Sequence, residues 1–128
     1  MEAHYVFRVT ARIEGTTPSV SVDPATAETT VTVYREAPEP GTEGWLFFRN
    51  TLWRGEVSDP EYGRQLAEEW LGDGLEVRSV AFSELRTDEA YFAALKDAIA
   101  DDLEAFKAAN VSEVLSKYLG SSIRVTDG

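Results

Sequence analysis

Between Gly44 and Pro60 the chain reads Gly-Trp-Leu-Phe-Phe-Arg-Asn-Thr-Leu-Trp-Arg-Gly-Glu-Val-Ser-Asp-Pro. Two of the three tryptophans and two of the six phenylalanines fall here, so any core the chain builds must run through this stretch. A dense apolar run entered through Gly-Thr-Glu-Gly and left through Ser-Asp-Pro-Glu predicts a strand over 45–57, central to a small sheet. Trp45, Phe47, Arg49, Thr51 and Trp53 then share one side, and Leu46, Phe48 and Leu52 the other. Such a strand exceeds the usual ~5–6 residues, which predicts a bulge or bend near Asn50 or Gly55.

Upstream, His4–Glu14 alternates cleanly. Tyr5, Phe7, Val9, Ala11 and Ile13 point one way and Arg8, Thr10, Arg12 and Glu14 the other, which is the pattern of a half-buried strand. Gly15–Pro18 breaks it. Ser19–Ala27 is ambiguous between a brief Val20/Val22 pairing and a turn, and Glu28–Glu36 is a second strand rich in Thr and Val. Residues 37–44 make a polar loop.

Downstream, Asp59 as cap and Pro60 at the first helical position start a helix. Its stripe is Gly63, Leu66, Ala67 and Trp70, and Gly72 stops it. Leu75–Phe82 is a fourth strand, and the strand–helix–strand unit predicts a right-handed parallel crossover. Thr87 is expected to cap a long helix running to about Ala109. Asn110 and Glu113 open a short last helix with Val111, Val114, Leu115, Tyr118 and Leu119, closed by Gly120. In the tail, 121–128, Ile123-Arg124-Val125 suits an edge strand or a partner-binding strand. The expected architecture is a single α+β domain over 1–128. It has a mixed four-stranded sheet in the order β-β-β-α-β-α-α, with the helices packed on one face.

Composition narrows the chemistry. Cysteine is absent and His4 is the one histidine, which removes disulfides, thiolate metal sites and imidazole-based triads. No metal, no cofactor and no catalytic residue is therefore expected. The adjacent acids Glu68/Glu69 and Asp101/Asp102 diverge by about 100° on a helix and do not form a general acid/base pair. With no apolar run of ~18–20 residues and no leader pattern, the chain reads as cytoplasmic, with no membrane partner.

Twenty-three acids face twelve bases, a net charge of −11, and only three of the bases are lysines. Self-repulsion on that scale fades in molar salt, where the Debye length falls to ~3 Å, so the composition suits a salt-rich cell. At Leu52-Trp53-Arg54, within so acidic and lysine-poor a chain, the sequence resembles the haloarchaeal LWR-salt proteins. The resemblance spans nearly the whole chain in length. It implies a salt-adapted archaeal cytoplasm and brings no activity and no site residues with it.

Three functional readings follow. One is a non-catalytic protein-interaction domain that uses Leu52, Trp53 and Arg54, with Arg49 adding directional hydrogen bonds and the last helix offering Val111, Leu115, Tyr118 and Leu119 to a partner or to its own core. The second is an RNA- or nucleotide-binding protein in which Arg8, Arg12, Arg49 and Trp53 meet on an open sheet face; DNA is not expected. The third is an enzyme using carboxylate and arginine chemistry, for which no nucleophile–base pair is visible. Homo-oligomers fit any of these.

Overall fold

A computed structural model describes residues 1–14, 26–72 and 75–126. Strands β1 (Ala3–Glu14), β2 (Thr26–Glu36), β5 (Leu75–Asp88) and β6 (Ile123–Thr126) form one mixed sheet in the order β2-β1-β5-β6. β1 is antiparallel to both neighbours, and β6 joins β5 in parallel. The ambiguous 19–27 segment falls largely outside the described residues.

The α+β class, the four-stranded mixed sheet and the helical layer on one face are as expected, but the sheet draws its members differently. The 45–57 stretch is not in it. It forms a short helix, α1 (Phe47–Thr51), then a tight two-stranded hairpin, β3 (Leu52–Trp53) against β4 (Glu56–Val57). The tail supplies the fourth strand instead. A continuous apolar run without alternation is compatible with helix or strand, and here packing decides. One turn of helix sends Phe47 to Tyr5 and Phe7 on the sheet while Phe48 faces Phe106 and Tyr118 on the far side. The predicted crossover between the third and fourth strands is likewise absent. β5 returns antiparallel beside β1, and the parallel crossover is the later one, from β5 through the last helices to β6.

Helix α2 (Pro60–Leu71) begins as read. Asp59 accepts hydrogen bonds from the Glu61 and Tyr62 amides, Pro60 sits in the first turn, and the chain leaves at Gly72. Helix α3 (Glu89–Ala100) is capped by Asp88 rather than Thr87, because β5 runs on to Asp88 and Thr87 lies buried in it opposite Ala3. The helix stops nine residues short of the predicted end at Ala109. Asp97, Asp101 and Asp102 crowd its C-terminal end, where the helix dipole disfavours anions. A 3₁₀ turn (Leu103–Phe106) then brings Phe106 into the core, and Lys107 reverses the chain at φ 51°. Helix α4 (Val111–Tyr118) is capped as the sequence indicates: Asn110 Oδ1 accepts from the Glu113 amide, and Glu113 accepts from the Ala109 amide.

The main core lies between sheet and helices. Tyr5, Phe7, Phe82 and Leu85 meet Phe48, Tyr91, Leu95, Ile99, Phe106 and Val114, while Val9 and Val77 meet Ala67 of α2 in a smaller cluster. Burial holds the Tyr5 hydroxyl well above its ordinary pKa and raises that of Tyr91 to about 12; the Tyr91 hydroxyl donates to the Pro38 carbonyl at 2.7 Å.

Asp88 ties the N-terminus to this frame. Its carboxylate accepts from the Tyr91 amide at 2.7 Å and the Glu2 amide at 2.8 Å, with the terminal ammonium at 3.4 Å. These donors, the Tyr91 amide first, hold its pKa below the ordinary carboxylate value. A folded pKa below the unfolded ~3.9 gives stability that is complete above about pH 4 and lost as pH falls through the folded value. Asp88→Ala is therefore expected to be less stable than wild type by a constant margin near neutrality, with the margin shrinking below about pH 4. Denaturant titrations across pH 2–8 measure it; a margin unchanged at pH 2 refutes this account.

Candidate functional site

The hairpin places the Leu52-Trp53-Arg54 residues in three different environments. Leu52 points inward and is 1% exposed, so it anchors the hairpin and takes no part in a surface. Trp53 points out and is 43% exposed. Arg54 and Gly55 make the two-residue turn, both with positive φ (53° and 82°), as the twist of a tight hairpin demands.

This turn is locked onto the end of α4. The last turn of any helix leaves carbonyls without intrahelical donors. Here the Arg54 amide donates to the Lys117 carbonyl at 2.8 Å and the Gly55 amide to the Tyr118 carbonyl at 3.0 Å. Gly120 allows the approach: a Cβ there would stand 3.1 Å from the Arg54 carbonyl oxygen. The Arg54 charge also sits at the negative end of the helix dipole.

The lock assembles a shallow cleft of about 490 Å³ lined by Trp53, Arg54, Glu113, Ser116 and Lys117. Two cations lie near the indole, the Arg54 guanidinium 5.7 Å from its centroid and the Lys117 ammonium 5.9 Å. Its position is set by an edge-to-face contact with Tyr118 at 5.9 Å. Lys117 is fixed by donating to the Phe106 carbonyl at 3.0 Å. The arrangement offers a rigid ring, two directed cations and a carboxylate rim.

The other arginines named from the sequence are elsewhere. Arg49 lies on α1, where it donates to the Ala105 carbonyl and to Asn50, bracing α1 against the 3₁₀ turn. Arg8 and Arg12 project from the sheet face opposite the helices. The expected face combining Arg8 and Arg12 with Arg49 and Trp53 is therefore not formed, because the stretch carrying the last two left the sheet. The open face has its own character. Register puts Arg86 and Arg124 on the same face at the His4 end, while Arg78 lies near Arg12 at the other end through shared glutamate partners. Glu76 pairs with Arg12 and Arg78, Glu28 with Arg78 and Glu84 with Arg86, and Tyr34 is an exposed ring on it, under Arg86.

At the sheet's end a second cleft, about 380 Å³, gathers Glu2, His4, Glu36, Glu39 and Tyr91. His4 is the cross-strand partner of Glu36, a pairing that needs the register and has no signature in the sequence. Among the described residues no group of three or more His, Asp or Glu side chains is arranged to hold a metal ion.

The apolar side of α4, named as a docking surface for a partner or the core, packs on the core: Tyr118 and Leu119 are buried, and Val111 and Leu115 lie half-buried against it. What sequence reading missed is the polar side, Glu113, Ser116 and Lys117. Lys117, one of three lysines, was the available signal.

Compared with protein families, residues 1–128 match the model described as LWR-salt protein. The chain belongs to the LWR-salt family. Leu52, Trp53 and Arg54 form the hairpin strand and turn seated on α4. No curated protein and no solved structure matches the chain, so the LWR-salt assignment carries the family and the geometry carries the rest. Among the described residues no helix is long and apolar enough to cross a membrane.

Proposed function

We propose that this LWR-salt protein is a non-catalytic, salt-adapted cytoplasmic interaction domain that captures an acidic segment of a partner protein through Trp53, Arg54 and Lys117. The observation that carries the reading is the backbone of Arg54. Hairpin turns of this kind favour Asn, Asp or Gly, and a residue with a long side chain at positive φ is held there at a cost of roughly 1–2 kcal/mol. Its side chain is exposed, so no core packing offsets that cost. Backbone strain under an exposed cation, beside an exposed tryptophan, supports a role in recognition.

The chemistry suits a salt-rich cell. Where screening shortens electrostatic reach to ~3 Å, recognition rests on direct contact: a ring face and short charge-assisted hydrogen bonds. Trp and Arg are the residues that supply these at binding hot spots.

The test separates fold from binding. Arg54→Asn relieves the turn, so its thermal midpoint in molar KCl is expected to equal or exceed wild type, while retention of partners in affinity capture falls at least tenfold. Trp53→Ala is expected to lose the same partners. Partners retained by both variants would refute the reading. The second reading, RNA along the arginine-bearing open face, is supported by five of the nine arginines lying there, with Arg8 in no ion pair among the described residues. Nucleic acid that co-purifies, is lost with RNase and is lost in Arg8→Ala would replace the first reading by the second.

A further inference from the structure

β2 is an edge of the sheet. Its inner side pairs with β1 along all eleven residues without a register shift, and its outer side meets no strand among the described residues. Edge strands of monomeric proteins are guarded by shortness, bulges, proline, lysine or inward-pointing charge, because an open row of amides and carbonyls templates another strand. The opposite edge, β6, is guarded by its length of four residues. β2 lacks most of these guards: it carries no proline and no lysine and is regular throughout, and its one inward charge, Arg35 over the Trp70 ring, lies next to its end. Between Glu28 and Arg35 it presents Thr29-Thr-Val-Thr-Val-Tyr34, six uncharged residues with strong strand preference in a chain that is 27% charged. On the helix side Val31 and Val33 pack on the smaller core cluster and are left half-open where the sheet stops.

We propose that β2 pairs antiparallel with β2 of a second copy, joining two four-stranded sheets into one of eight strands. Unpaired backbone groups specify a strand as the occupant, and the side chains specify this one. A two-fold axis through the interface opposes residues of like parity, so the helices of both copies stay on one side. Opposing Val31 to its own copy sets Thr30 against Thr32, Thr29 against Val33 and Glu28 against Tyr34. No like charges meet, the β-branched pairs stack, and the Glu28 carboxylate reaches the Tyr34 hydroxyl. Shifting so that Thr32 opposes itself sets Glu28 against Glu36, which like-charge repulsion disfavours. Of these two registers the one centred on Val31 is favoured, and in it Val31 and Val33 gain cover. For a chain of net charge −11, the uncharged run Thr29–Tyr34 lets two copies meet without a like-charge pair across the strands.

The experiment is sedimentation equilibrium of the full chain in molar KCl, with amide exchange followed at low and high protein concentration. The expected particle has twice the 14.2 kDa chain mass and dissociates on dilution. Alternate amides within Thr29–Tyr34, those facing outward, are expected to exchange more slowly as concentration rises. Thr30→Lys with Thr32→Lys brings lysines of the two copies face to face and is expected to give monomer at loadings where wild type is dimer. Ser83→Lys, exposed on the interior strand β5, is expected to leave the dimer intact. A monomer at every concentration, a dimer whose β2 amides exchange alike at all concentrations, or a dimer indifferent to the paired lysines each overturns the proposal. Exchange in the wild-type chain decides the matter even where the lysine variant fails to fold.

Discussion

Phe48→Ala is expected to remove about 3–5 kcal/mol of folding stability, the range for truncating a fully buried aromatic side chain. Phe48 has no exposed surface, stacks on Phe106 at 5.7 Å and 16°, and meets Tyr118 and Trp45 edge-on or tilted at 6.1 and 6.2 Å. Each such pair contributes roughly 0.5–1.5 kcal/mol beyond area burial. The helix that carries Phe48 has five residues, too few to persist on propensity, so α1 exists because its rings are seated. Phe47→Ala removes a half-buried ring that rests on Tyr5 at 4.8 Å and is expected to cost about half as much. Urea denaturation in molar KCl measures both, and the slope should match wild type. A Phe48→Ala cost below about 1 kcal/mol would mean that the ring is not in the core.

The same residues explain what could be read from the sequence and what could not. β1 and α2 were legible because each carries a periodic signal with punctuation: strict alternation from Phe7 to Ile13, and Asp59-Pro60 ahead of a 3.6-residue stripe ending at Gly72. Trp45–Trp53 lacks alternation. Its rings serve two walls of the core at once, and only the positions of Tyr5 and Phe106, far away in sequence, decide for helix. The break after Ala100 was hidden by the apolar spacing, which continues through Phe106, while the aspartates that end the helix lie off that stripe. Trp53 and Arg54 were named from the sequence, but their exposure follows from the hairpin, which the sequence did not announce. Lys117 was not, since its place beside Trp53 depends on two backbone hydrogen bonds between segments more than sixty residues apart.

Those two hydrogen bonds make Gly120 the hinge of the site. Gly120→Ala is expected to cost roughly 2–5 kcal/mol, combining ~1–2 for an alanine in the left-handed region with ~0.5–1.5 for each of the two hydrogen bonds displaced. Gly120 has φ 61°, and a Cβ there meets backbone, the Arg54 carbonyl oxygen and carbon at 3.1 and 3.2 Å. Nothing there swings aside: the turn is pinned to the Lys117 and Tyr118 carbonyls, so relief requires the hairpin to lift off α4. Gly120→Asn separates the two contributions, because Asn tolerates the left-handed conformation yet adds the same Cβ. If close approach dominates, Asn stays within about 1 kcal/mol of Ala. If backbone conformation alone matters, Asn recovers most of the loss. In the first case the folded variant also shows Trp53 moved from its cations, read as a shift in its fluorescence against a Trp45→Phe, Trp70→Phe background. Recovery by Asn with unshifted emission would remove the lock from this account and leave the cleft to be held by Tyr118 and Lys117 alone.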